Sequence, residues 1–155
     1  PVVQTIYPYL AKKYNYSFFV KLLSILILVS LLVVSLGYLF GDLISIILLN
    51  EINIIFLNLF HVILPIIPIS TLYVMLGAPL LLARGFKKEF NLSIIYGFVI
   101  HLLLLSILYY YYILNPNLQS DILILFAISL VFSKFVVLMI RSYYVFINKL
   151  FKKSF

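Results

Sequence analysis

Two histidines, His61 and His101, are the residues of this chain with the widest chemical repertoire. An imidazole ligates haem iron or another metal, moves protons, or closes a hydrogen bond in an apolar interior. Two of them in separate apolar tracts raise a bis-histidine haem or a metal site, with His61 and His101 as the cofactor-binding candidates. Two imidazoles alone fall short of a complete protein metal site. The plainer reading is an interior histidine with a hydrogen-bond partner at each position. No cysteine is present, so disulfides, thiolate ligands and thiol catalysis are excluded. No Ser/His/Asp set, carboxylate pair or phosphate-cradling glycine loop can be assembled, and no active site of its own is expected. The in-span carboxylates of a proton pump or ion-coupled carrier are also missing.

Lys21 and Lys134 are cations inside apolar tracts. Lys21 is near a tract end and within reach of the interface by snorkelling. Lys134 is deeper, with Arg141 seven residues on, on the same helical face. It either snorkels as well or pairs with a carboxylate from a partner.

The elements that hold these groups follow from composition. The 155 residues are 66% hydrophobic and 10% charged, with a mean hydropathy of +1.25. A soluble domain is about half apolar and about a quarter charged, so lipid is the expected solvent. Four apolar tracts, 18–40, 54–83, 92–113 and 122–140, are each near or above the ~20 residues that cross ~30 Å of hydrocarbon. The expected fold is all-α: a polytopic four-transmembrane-helix bundle in one domain. Residues 1–17 read as an interfacial tail without a secretory leader pattern, and 141–155 as a basic tail.

Charge sets the expected topology. Lys12, Lys13, Lys21, Arg84, Lys87, Lys88, Arg141, Lys149, Lys152 and Lys153 cluster at one set of tract ends, while 41–53 and 115–121 hold no Lys or Arg. Positive charge stays on the cytoplasmic side, which puts both termini and the Arg84–Lys88 turn inside. Asp42, Glu51 and Asp121 then fall outside. The stretch GDLISIILLNEIN, 41–53, is open between a surface helix, a re-entrant piece and an extension of the first two helices. Tyr7, Tyr9, Tyr14, Tyr16, Tyr143 and Tyr144 fit the inner interface, and Tyr109 to Tyr112 the outer one, either as an aromatic belt or as a stacking surface. The tail RSYYVFINKLFKKSF suits a continued helix or an amphipathic helix on anionic inner-leaflet headgroups. Nucleic acid is not an expected partner.

The second tract is interrupted by prolines. Pro65 cannot donate to the carbonyl of His61, nor Pro68 to Leu64, nor Pro79 to Met75. Freed carbonyls in hydrocarbon need another donor, a hydroxyl, a water or a neighbouring helix; Ser70, Thr71 and Tyr73 are local candidates. Kinks or unwinding are expected near Pro65 and again near Gly77-Ala78-Pro79, where Gly77 and Ala78 permit close helix approach. The bend is either structural or shapes a site beside His61. At ~1.5 Å per residue, His61 is roughly 10 Å from the outer end and His101 nearer the middle, a depth difference of about 5–10 Å.

The run LFHVILPIIPISTLYVMLGAPLLLAR resembles the core helix of the CtaG family, membrane proteins associated with cytochrome c oxidase assembly. The matching positions are His61, Pro65 or Pro68, Leu76, Gly77, Ala78, Pro79, Leu80 and Arg84, within roughly 25 of the 155 residues. CtaG proteins are larger and hold further histidines, whereas this chain adds only His101. The resemblance implies a small accessory subunit or assembly partner of a haem-copper oxidase, working among other integral membrane subunits. The alternatives are a haem-binding electron-transfer subunit and an oligomeric transporter or channel subunit. The expected location is a prokaryotic cell membrane or an organellar inner membrane.

Overall fold

The computed structural model describes Pro8, residues 15–114 and residues 119–150. The expectations for Tyr7, Tyr9, Lys12, Lys13, Tyr14, the 115–118 linker, the Asp121 side chain, Lys152 and Lys153 lie outside the described residues.

The fold is an all-α membrane bundle with four helical segments long and apolar enough to span a bilayer. In chain order the helices are α1 (Tyr16–Leu39), α2 (Gly41–Leu49), α3 (Ile54–Ile63), α4 (Ile66–Met75), a π-helical turn (Leu76–Leu82), α5 (Lys87–Leu114) and α6 (Gln119–Ile147). α1 starts where the Asn15 side chain accepts from the Phe18 amide at 3.1 Å, which satisfies one of the helix's orphan donors.

Residues 41–49 form a helix that extends the first span, and 50–53 turn back into the second. The Phe40 amide reaches the Leu36 carbonyl and the Ile44 amide reaches the Phe40 carbonyl, both at 2.9 Å, so hydrogen bonding continues across the break from α1 into α2. The Gly41 backbone lies against Leu57 and His61, and the Ser45 hydroxyl accepts from the Asn53 amide at 3.0 Å. α2 therefore runs antiparallel to α3. The polar residues of NEIN make the turn. Asn50 adopts φ +59°, a left-handed conformation that asparagine tolerates, and Asn53 caps α3 by accepting from the Phe56 amide at 3.0 Å. Asp42 sits in the first turn of α2, on its exposed side.

The second span runs from Ile54 to Leu82 and is interrupted twice. At Leu64-Pro65 the helix tightens, and the Ile67 amide bonds the Leu64 carbonyl at 3.1 Å. At Pro79 it widens into the π-helical turn. An α-helical register would drive the Pro79 ring into the Met75 carbonyl, and a π-turn relieves that crowding. Pro68 breaks nothing, because it falls in the first turn of α4, where amides have no helical acceptor.

α6 is the hub, touching α3, α4, the π-helical turn and α5, while α1 packs chiefly on α4. Small residues set the closest approach. A Cβ at Gly97 of α5 would collide with Val137 of α6, as expected where dispersion rather than a hydrophobic force draws helices together. The tightest apolar cluster, Phe19, Met75, Leu76, Leu80, Leu81, Val145 and Leu150, gathers around the π-helical turn at the Arg84 end. α6 continues through Ile147, so Arg141 lies within the bundle rather than at the head of a surface tail.

Candidate functional site: a cationic cavity between the spans

Arg141 organises the interior. It is 3% exposed. Its Nε donates to the Ser93 hydroxyl of α5 at 2.9 Å, and its Nη1 donates to the Tyr73 carbonyl of α4. The guanidinium lies 4.6 Å from the Phe90 ring centroid and 5.4 Å from that of Tyr73, which adds cation–π attraction. Ser93 passes the chain on by donating to the Phe90 carbonyl at 2.6 Å.

Gly77 makes room for this cluster. A Cβ there would overlap Arg141 Nη1 and come within 2.9 Å of Phe90 Cε2. The π-helical turn, Gly77 and Arg141 thus form one unit, in which the widened helix presents bare backbone and the neighbouring span fills it with a planar cation.

Next to this unit is a cavity of about 490 Å³ between α4, α5 and α6. Its polar lining comes from Tyr73, His101, Ser133, Lys134 and Arg141, and its apolar lining includes Ile94, Phe98, Leu130 and Val137. Helical spacing explains the convergence. Ile94, Gly97 and His101 recur at three- and four-residue steps on α5, and Lys134 and Arg141 are two turns apart on α6. Lys134 Nζ sits 5.5 Å from the Tyr73 ring centroid, so Tyr73 has both cations near its ring. The Ser133 hydroxyl is committed to the Leu130 carbonyl at 2.8 Å. His101 Nδ1 is buried without a hydrogen-bond partner among the described residues. None of the acids Asp42, Glu51 and Glu89 lines the cavity.

His61 lies elsewhere. It borders a second, mostly apolar cavity of about 530 Å³ with Tyr38, Pro65, Phe132 and Phe135. Its ring tilts over that of Tyr38 at a centroid distance of 4.9 Å. Its Nε2 faces Gly41 and has no hydrogen-bond partner among the described residues. The Tyr38 hydroxyl donates to the His61 carbonyl at 2.9 Å. The two imidazoles therefore line separate cavities among the described residues. Among the described residues no group of three or more His, Asp or Glu converges.

The other sequence candidates are structural in place. Pro65 and Pro79 mark the two interruptions, Pro68 the first turn of α4, and Gly77 the seat of Arg141. Arg84 Nη2 donates to the Leu150 carbonyl at 3.4 Å, tying the end of the second span to the end of α6. Lys134 is the candidate that joins His101. Sequence reading missed Tyr73, Phe90 and Ser93 as partners of Arg141. The usable signal was the seven-residue spacing of Lys134 and Arg141, together with Ser93, Gly97 and His101 stepping along α5.

No family model matches the chain, and no curated protein or solved structure matches it.

Proposed function

We propose that the chain is a small, non-catalytic integral membrane subunit or assembly partner of a larger membrane complex. The resemblance of its second span to CtaG helices suggests a complex of the haem-copper oxidase type. The observation that supports a partner is the position of Asp42. This acid is exposed on a helix whose neighbours Leu39, Leu43, Ile46 and Ile47 are also exposed. It lies eight residues before the Asn50 turn, about 12 Å along the helix. Ionisable groups set among lipid-facing apolar side chains normally face a bundle interior or pair with another charge or polar group. An outward-facing acid among exposed apolar side chains just past the first span therefore calls for a cationic or hydrogen-bonding group on an adjacent helix.

In this reading the basic end of the bundle, with Arg84, Lys87, Lys88 and Lys149, faces the cytoplasm or its organellar equivalent. Mild-detergent extraction from the native membrane, with identification of every co-purifying chain, tests the proposal. Integral membrane chains in fixed stoichiometry are expected. Recovery as a lone stable monomer would reject it.

A second reading, a transporter or channel subunit, draws on the interrupted second span beside a cationic cavity, since broken spans often line substrate sites. Absence of anion flux in liposomes holding the purified chain counts against it.

A further inference from the structure

The cavity between α4, α5 and α6 has a shape and polarity that the subunit reading does not use. We propose that it is a binding site for a carboxylate-bearing amphiphile, with the carboxylate on the Lys134 ammonium and the apolar body along Ile94, Phe98 and Leu130.

Volume comes first. At about 490 Å³ the cavity falls within the roughly 300–1,000 Å³ of small-ligand sites. A volume of this size suits a small molecule better than a partner span, whose helix is about 10 Å across along its whole length.

Charge selects the sign. Lys134 and Arg141 both line the space, and no described acid does. A cation in a low-dielectric interior without a counter-charge is costly. Arg141 is already stabilised through Ser93, the Tyr73 carbonyl and two aromatic rings. Lys134 forms a cation–π contact with Tyr73 but no hydrogen bond or ion pair among the described residues. Its three ammonium donors are available to an anion.

Donor number selects the class. Of the two lining cations, Arg141 is already hydrogen-bonded to protein groups, so among the described residues the site offers an anion the single ammonium of Lys134. One ammonium matches the single charge of a carboxylate better than the higher charge of a phosphate. The largely apolar remainder cannot solvate the several charged oxygens of a phosphate.

Depth excludes a membrane phospholipid. Lys134 lies twelve residues from Ile122 and thirteen from Ile147, the ends of its span, or about 18–20 Å from each. A headgroup held at the interface does not reach that level, but a single-chain amphiphile entering in its neutral form does.

The test is a titration of the full-length chain in neutral detergent with carboxyl-13C dodecanoate, read by NMR, with methyl dodecanoate and a dodecyl phosphate as comparison ligands. One saturable site is expected, weakened at least tenfold in Lys134→Met and retained in Lys134→Arg. Leu130→Trp, which fills the cavity and keeps both cations, also abolishes it, so the test survives if Lys134→Met fails to fold. The methyl ester does not bind saturably. Equal uptake by wild type, Lys134→Met and Leu130→Trp, equal binding of the ester, or stronger binding of the phosphate each overturns the proposal.

Discussion

The Tyr38 hydroxyl on α1 donates at 2.9 Å to the carbonyl of His61 on α3, the acceptor that Pro65 deprives of its i+4 amide. A helix break in one span is thus closed by a side chain of another. Arg141 makes a second tie between spans at the other interruption, donating to the Tyr73 carbonyl, which also accepts from the Leu76 amide beside the π-helical turn. A freed carbonyl in hydrocarbon otherwise lacks any donor, so the Tyr38 contact makes the first interruption tolerable, and both contacts join the second span to its neighbours.

Removing the first donor exposes that dependence. Tyr38→Phe is expected to destabilise the bundle by about 0.6–1.5 kcal/mol, the range for hydrogen bonds between membrane helices and in proteins generally. In a Pro65→Ala background the backbone amide restored at that position supplies the His61 carbonyl, and the effect of Tyr38→Phe shrinks. A double-mutant cycle by reversible denaturation in mixed micelles measures this. An unchanged cost in that background contradicts the role given to Tyr38.

Gly77→Ala is expected to destabilise by roughly 1–3 kcal/mol, the usual range for overpacking a close contact. The new methyl meets Arg141 and Phe90, and the guanidinium must leave its seat. The same assay applies, and wild-type stability would show that the π-helical turn has room to spare.

Arg141→Lys keeps the charge but loses the fork that reaches Ser93 and the Tyr73 carbonyl together. A loss of about 1.5–3 kcal/mol is expected, the range for a hydrogen bond to a charged group. Lys149→Arg, an exposed site, serves as the neutral comparison. Equal stability of both variants would remove Arg141 from the organising position described above.

Asp42→Asn tests the subunit proposal without touching the interior, because Asp42 is exposed. The variant is expected to fold as wild type and to recover its partner chains in much lower yield. Full recovery of the complex would show that another surface makes the contact.

Much of the architecture is legible in residue order. Hydropathy marks four spans, the clustering of Arg84, Lys87 and Lys88 pairs them two and two, and Pro65 and Pro79 mark the interruptions. These are local properties: how a stretch of chain partitions between water and lipid, and whether a residue has an amide to donate. Pro68 shows the limit of reading proline alone, since its effect depends on where α4 begins.

What a linear pattern does not contain is the rotation of each helix about its axis and the identity of its neighbour. Those depend on where small residues such as Gly77 and Gly97 let two helices approach, and they decide which faces meet. Tertiary packing therefore places Arg141 in the interior rather than in a tail and sets Lys134 beside His101. It also puts His61 over Tyr38 in a separate cavity and turns Asp42 outward on α2. Lipid accepts almost any apolar face, so hydropathy leaves these rotations undetermined. Close packing and the need to satisfy freed carbonyls select among them.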